Sequence, residues 1–60
     1  MKRKIRNGQV WQDCYGREWK VEAHDEYAEN CRMVLLSCGR YTFYSDNFIR
    51  SYFKYVRKEK

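Results

Sequence analysis

The sequence predicts a mainly β domain of four to five antiparallel strands, with one short helix near the C-terminus. Three observations lead to this fold class. Several short segments alternate apolar and polar side chains with a period of two, which is typical of half-buried strands. Glycine-containing turns separate these segments, and after Ser45 the apolar spacing changes to that of a helix.

The first two strands are predicted to form a hairpin. Residues 9–14 form the first short strand, and Tyr15 and Gly16 supply the turn after it. Residues 19–24 then alternate apolar and polar side chains, so one face lies inward and His24 lies on the outward face. The side chains expected on the inward face are Trp19, Val21 and Ala23.

The third and fourth strands follow after two more turns. Residues 31–36 alternate, but Val34 and Leu36 make the second face apolar too, which indicates a central strand contacted on both sides. Residues 37–40 form a turn, and residues 41–44 alternate again. On this last strand, Tyr41 and Phe43 lie on one face and Thr42 and Tyr44 on the other.

A short helix is predicted to begin at Ser45 or Asp46, whose side-chain oxygen can accept a hydrogen bond from an early backbone N–H. Its apolar side chains share one face and are Phe48, Ile49, Tyr52 and Phe53. Tyr55 and Val56 then belong to a closing strand. This order predicts a small SH3-like barrel, in which a helical turn delivers the last strand, or alternatively a strongly bent open antiparallel sheet capped by the helix. The expected core is Trp19, Val21, Met33, Leu35, Phe43, Phe48 and Ile49.

The length of 60 residues predicts a single domain over residues 1–60. Residues 1–7 are expected to be a basic N-terminal arm, residues 8–56 the folded core and residues 57–60 a basic tail. A core this small leaves little room for a cleft of about 300 Å³ or more, the size that ligand pockets usually have. We therefore expect no enzyme, no catalytic residues, no cofactor and no small-molecule substrate.

The cysteines are odd in number, which favours free thiols in a reducing cytosol over a disulfide framework. Cys14, Cys31 and Cys38 could join His24 in a zinc site, but no two of the four lie within the short spacing that structural zinc sites use. We expect no metal. No stretch approaches the roughly 20 apolar residues that span a membrane, so no membrane partner is expected, and no apolar region follows the basic start as in a signal peptide.

Three segments resemble a family of very short proteins encoded by lambdoid phages and prophages of enteric bacteria. They are residues 8–13 (GQVWQD), 16–21 (GREWKV) and 43–49 (FYSDNFI), and the resemblance covers most of residues 5–56. The resemblance implies early expression in the cytoplasm of a bacterial host and modulation of host or phage development. The family's biochemical function is unknown, so the resemblance supplies no site residues.

The residue types favour protein binding, because Tyr, Trp and Arg are enriched at the energetic centres of interfaces. The strand alternation and the two glycine turns place several of them at loop tips or opposite the expected core, where binding residues concentrate. The candidates are Trp11, Tyr15, Arg17, Arg40, Tyr41 and Tyr44. The expected partner is a host or phage protein, and a homodimer stays open.

Nucleic-acid binding is the alternative, since a net charge of +5 and a pI near 9.3 favour a polyanionic partner. The predicted module would bind single-stranded or non-specific nucleic acid through its basic termini and surface aromatic rings. The candidate contacts in the basic termini are Lys2, Arg3, Lys4, Arg6, Lys54, Arg57 and Lys58. The acidic stretch over residues 22–29 would repel a phosphate backbone laid across it. The two alternatives differ in salt dependence, because phosphate contacts release counterions and weaken steeply as salt rises.

Overall fold

The computed structural model of the chain describes residues 3–59 and confirms the mainly β fold class. Five antiparallel strands form one sheet in the order β4-β3-β2-β1-β5. One helix connects the fourth strand to the fifth. The elements are β1 (Gln9–Gln12), β2 (Glu18–Asp25), β3 (Asn30–Leu35), β4 (Tyr41–Ser45), α1 (Asp46–Tyr52) and β5 (Lys54–Lys58).

The sheet is open, so the strongly bent sheet is the architecture found and the closed barrel is not. As expected, the helical turn delivers the last strand beside the first, but within residues 3–59 no ladder joins β4 to β5. Bulges interrupt the β1–β5 ladder at Val10/Trp11 and the β2–β3 ladder at Val21/Ala23. Such bulges bend a strand and increase its twist. Ile49 of α1 and Phe53 directly after it are buried in the core. The helix thus covers one side of the core of the open sheet.

The core confirms five of the seven expected residues and corrects the other two. Phe43 and Phe48 are 65% and 41% exposed. Phe43 points outward because the opposite face of β4 packs inward: Thr42 pairs with the buried Met33 across the ladder, and directly paired residues share a face. The buried hydrophobic cluster is Ile5, Trp11, Trp19, Val21, Cys31, Met33, Leu35, Ile49 and Phe53.

The bulge in β2 reverses the predicted alternation beyond Val21. Glu22 is the extra residue, so His24 pairs with the buried Cys31 while Ala23 pairs with Arg32. Ala23 is consequently exposed, although the alternation predicted that it faces the core. His24, predicted to face outward, turns inward and only 12% of its side-chain surface is exposed.

The described part of the N-terminal arm packs onto the domain. Ile5 is only 3% exposed, and the buried Gln9 side chain ties this segment down. Gln9 Oε1 accepts hydrogen bonds from the backbone N–H of Arg6 and from Trp11 Nε1, and its Nε2 donates to the Lys4 carbonyl. At the other end β5 runs on to Lys58, so folded structure extends past the predicted boundary at residue 56.

Candidate protein-binding groove

An apolar groove of about 200 Å³ lies between the loop that joins β1 to β2 and helix α1. We name it the aromatic groove. Its two walls come from parts of the chain far apart in sequence, which the bent sheet brings together. The lining residues are Asp13, Cys14, Tyr15 and Arg17 from the loop, and Tyr44, Phe48, Tyr52 and Phe53 from the end of β4, α1 and the residue after it.

The loop wall is fixed by the carboxylate of Asp13. Oδ1 accepts hydrogen bonds from the backbone N–H groups of Tyr15 and Arg17, each at 2.9 Å. Oδ2 accepts from Arg17 Nε at 2.8 Å and from Trp19 Nε1 at 2.9 Å. Burial on its own would raise the pKa of Asp13, but these hydrogen bonds outweigh burial and lower the pKa below its ordinary value.

The ordered loop holds an aromatic ring in solvent. Tyr15 is 80% exposed, and the guanidinium carbon of Arg17 lies 5.2 Å from the centroid of its ring. The same guanidinium lies 5.7 Å from the ring of the buried Trp19, which anchors it to the core. An exposed ring that is already ordered loses less conformational entropy when a partner binds.

The helical wall is a run of aromatic rings in mutual contact. The rings of Tyr44 and Phe48 stack with centroids 5.1 Å apart and an angle of 3°, and Tyr52 follows 4.8 Å beyond Phe48. Ser45 caps α1 by accepting a hydrogen bond from the Phe48 N–H, which fixes where the helix begins. Phe48 and Tyr52 are 41% and 64% exposed, so this wall presents apolar surface to solvent.

The structure brings three of the six predicted partner-binding residues together in the groove, namely Tyr15, Arg17 and Tyr44. Arg40 lies exposed in the turn between β3 and β4. Tyr41 is 58% exposed, but its side chain lies on the face of β4 opposite to that of Tyr44.

The prediction for Trp11 is wrong, because this side chain is part of the core. It is only 4% exposed. Its Nε1 donates a hydrogen bond to Gln9 Oε1, and its ring packs edge-on against Tyr55 with the centroids 5.7 Å apart. Trp11 pairs directly with the buried Trp19 across the β1–β2 ladder. Directly paired residues share a face, so the Trp11 side chain lies on the core face of the sheet.

Sequence reasoning assigned two groove residues to the helical face that it expected to be buried. A seven-residue helix on the side of a small sheet buries a narrow stripe, here Asp46 and Ile49, and Phe53 directly after the helix is buried beside them. Phe48 and Tyr52 form the neighbouring i and i+4 stripe and remain outside. The sequence does indicate that some of these side chains remain exposed, because four large apolar residues within two helical turns are more than one narrow buried stripe accommodates.

A second cleft, which we name the arginine cleft, has a volume of about 570 Å³ and is larger than the length of the chain led us to expect. The guanidinium of Arg3 lies 3.6 Å from the ring centroid of Tyr55, and Arg50 Nε donates to the Arg3 carbonyl at 3.2 Å. No carboxylate lines this cleft. Its lining residues are Arg3, Trp11, Asn47, Arg50, Ser51 and Tyr55.

The other predicted nucleic-acid contacts do not gather in that cleft. Arg57 forms ion pairs with Glu18 and Glu59 at the surface. Lys4 and Arg6 line a neighbouring cavity, which shares Arg50 with the arginine cleft. That cavity also contains His24 and the carboxylates of Glu26, Glu29 and Asp46. Lys54 and Lys58 are exposed on β5. Lys2 lies outside the described residues.

The described residues offer no cluster of three or more His, Cys, Asp or Glu side chains that could hold a metal ion. Cys31 is buried in the core, whereas Cys14 and Cys38 are exposed in the turns after β1 and β3. Cys14 therefore lies beyond β1, although the sequence predicted that the first strand includes it. None of the helices over residues 3–59 is long and apolar enough to cross a membrane.

Fold and groove together define a small open-sheet domain with an exposed aromatic surface. Protein-family models, curated proteins and solved structures contain no match to this chain. The resemblance to short lambdoid phage proteins therefore stays a prediction from three sequence segments.

Proposed function

We propose that this chain is a protein-binding domain without catalytic activity of its own, and that the aromatic groove receives an apolar side chain of its partner. One observation carries the proposal. Three exposed rings, those of Tyr15, Phe48 and Tyr52, border one apolar cavity, and a network of hydrogen bonds and ring contacts holds its walls in place.

The dimensions of the groove favour a particular kind of partner. A cavity of about 200 Å³ accommodates one or two side chains, so the partner presents a loop or an extended segment with a bulky apolar residue. Large aromatic rings can each bury about 150–250 Å² in such contacts. Arg17 keeps half of its side-chain surface exposed at the rim, but its charge is already paired with Asp13. The net charge of +5 on the whole chain favours acidic residues in the partner.

The biological setting belongs to the same proposal. The resemblance to lambdoid phage proteins supports an accessory protein expressed early in the cytoplasm of a bacterial host, with a host or phage protein as the partner. The arginine cleft, at about 570 Å³, is large enough for a ligand, so the small size of the chain is no argument against catalysis. What argues against catalysis is instead the set of side chains that line the cavities. The arginine cleft contains neither a His nor a carboxylate to act as a base for Ser51. The neighbouring cavity contains the His24–Asp46 pair, but no Ser, Thr or Cys lines it to serve as a nucleophile.

The test is capture of nuclease-resistant partners from host lysate by three forms of the chain. They are the wild type, a Tyr15→Ala/Tyr52→Ala variant, and Tyr27→Ala as the matched control. Tyr27 is fully exposed in the turn between β2 and β3 and does not line the groove. We expect the groove variant alone to lose its partner while its circular dichroism stays unchanged.

A second measurement ties the loss to the groove. Amide NMR shifts should move mainly in residues 13–17 and 44–53 when the identified partner, or the peptide from it that binds, is added. The proposal is wrong if the groove variant retains the partner as well as Tyr27→Ala does, or if the shifts concentrate elsewhere.

The arginine cleft supports nucleic-acid binding as the second candidate function. Within residues 3–59 neither Arg3 nor Arg50 has a carboxylate within ion-pair distance, whereas Arg17, Arg32 and Arg57 are each paired. Unpaired guanidinium groups beside an aromatic ring suit a phosphate and a base of single-stranded nucleic acid.

Fluorescence anisotropy with a labelled single-stranded oligonucleotide tests this second function. Affinity should fall steeply with salt, and Arg50→Gln should weaken binding and reduce the salt slope by about one. Arg32→Gln, which changes an arginine already paired with Glu22, is the control. Equal affinities for the two variants, or binding that salt does not alter, would remove this candidate.

A further inference from the structure

We infer that the free edge of β4 pairs antiparallel with β4 of a second copy of this chain. The inference is independent of the aromatic groove and goes beyond the proposed function. β4 is one of the two edges of the sheet, and among residues 3–59 no strand lies beyond it. An edge strand presents unpaired backbone N–H and C=O groups, which makes it a template for another strand.

The ladder between β3 and β4 shows which backbone groups are free. At one end Leu35 N donates to the Arg40 carbonyl at 2.7 Å, and at the other Asp46 N donates to the Glu29 carbonyl at 2.8 Å. Along an antiparallel ladder, residues that bond to the neighbouring strand alternate with residues that do not. Between these two ends, alternation assigns Thr42 and Tyr44 to the bonds with β3.

Tyr41 and Phe43 therefore direct their backbone N–H and C=O groups away from β3, toward the open edge. A two-fold axis at Thr42 would place Tyr41 opposite Phe43 of the second copy, and Phe43 opposite its Tyr41. Each such pair can exchange both of its hydrogen bonds. The edge is thus complementary to itself in this register.

The charges of the two edges explain why a second copy fits β4 and not β5. β5 carries Lys54, Arg57 and Lys58 along its five residues, and charged side chains, especially Lys, protect an edge against pairing. β4 reads YTFYS, with neither a charge nor a proline. In a chain of net charge +5, an uncharged edge is where like-charge repulsion opposes a second copy least.

The side chains on the outer face support the same contact. Tyr41 and Phe43 are 58% and 65% exposed, and their rings already meet edge-on with centroids 6.1 Å apart. In the proposed register they would meet the same two rings of the second copy, as favourable cross-strand aromatic pairs. Two short strands and four rings cover less than the roughly 1,600 Å² of a standard stable interface, so the dimer is weak and depends on concentration.

Analytical ultracentrifugation over a wide range of protein concentration measures the association. The wild type should shift from the monomer mass to twice that mass. Phe43→Pro should stay monomeric, because proline removes the outward N–H of this position but none that β3 uses. Phe43→Thr keeps that N–H and favours a strand, so it should dimerise, although more weakly. Tyr52→Ala, in the groove, should dimerise like the wild type.

Hydrogen exchange of the wild type tests the same contact without any substitution, which matters if the proline variant fails to fold. The amide protons of Tyr41 and Phe43 should exchange quickly at low concentration and gain protection at high concentration. A chain that stays monomeric throughout, or a dimer in which these two amides gain no protection, overturns the inference. Neither result bears on the groove, whose variants change Tyr15 and Tyr52.

Discussion

The Nε2 atom of His24 lies 2.8 Å from the Oδ2 atom of Asp46, and this contact joins β2 to the first turn of α1. Only 12% and 7% of the two side-chain surfaces are exposed. The partner residues are 22 positions apart in the chain, so the contact fixes the helix against the sheet. Because α1 carries one wall of the aromatic groove, the contact also fixes the position of that wall.

Replacement of His24 by Leu should destabilise the protein by about 3 kcal/mol, since it leaves the buried Asp46 carboxylate without its partner. The other carboxylate oxygen, Oδ1, already has no hydrogen-bond partner in the structure and cannot compensate. His24→Gln, which retains a side-chain N–H donor, should cost less. Urea unfolding at neutral pH measures the difference. A Leu variant as stable as the wild type would show that the contact contributes little.

The thiols should react in two classes. Burial, with a smaller contribution from the charge of Asp46, raises the pKa of Cys31 to about 12, so this thiol is not ionised at neutral or mildly alkaline pH. Cys14 and Cys38 are exposed. A thiol reagent should therefore modify these two rapidly in the native protein and Cys31 only after denaturant is added, as peptide mass mapping would reveal. Rapid labelling of Cys31 without denaturant would contradict the burial of this residue.

The sequence was sufficient where local chemistry decides the structure. The Ser45 cap predicted the start of α1, and the alternation around Trp19 and Met33 predicted which faces are buried. It failed where packing between distant segments decides. The bulge at Glu22 turns the side chain of His24 toward the core, and no local sequence pattern marks that bulge.

In the candidate site, too, one wall could be predicted from local sequence and the other could not. Turn chemistry placed Tyr15 and Arg17 on an exposed loop, and that placement came from neighbouring residues alone. The opposite wall requires knowledge of how α1 sits on the sheet, which decides that Ile49 is buried and Phe48 is not. Trp11 was misassigned because a short strand of four residues does not reveal, from its own pattern, which of its faces lies on the core.

Acid should weaken the loop wall of the groove through Asp13. Its pKa in the folded state lies below the ordinary value of about 3.9 of the unfolded chain. The ionised carboxylate therefore contributes stability at pH values above about 4, and that contribution is lost as pH falls through the lowered pKa. Asp13→Asn, which cannot ionise, lacks this contribution at every pH.

The free energy of unfolding of the wild type and of Asp13→Asn, measured by urea denaturation between neutral pH and strongly acidic pH, checks this expectation. The wild type should be more stable at neutral pH, and the gap should narrow as pH falls below 4. A gap that stays constant across the range would mean that the charge of Asp13 does not stabilise the loop. Trp19, whose Nε1 donates to this carboxylate, gives a fluorescence signal for the same transition.

Two aromatic substitutions separate folding from binding. Trp11→Ala should cost about 3–5 kcal/mol, because it removes a large buried side chain and leaves a cavity. A domain of this size has a total stability of roughly 3–5 kcal/mol, so the variant should be largely unfolded at room temperature. Tyr52→Ala should change stability by less than about 0.5 kcal/mol, because most of this side chain is in solvent.

Thermal unfolding followed by circular dichroism compares the two variants, and partner capture on the same samples then isolates the role of the groove. Loss of binding in Trp11→Ala carries no information about the interface, because the fold is lost with it. Loss of binding in Tyr52→Ala, with an unchanged melting temperature, assigns the contact to the aromatic groove. If Trp11→Ala melts like the wild type, burial of the Trp11 ring does not stabilise the core, and the side chain becomes a candidate for the binding surface again.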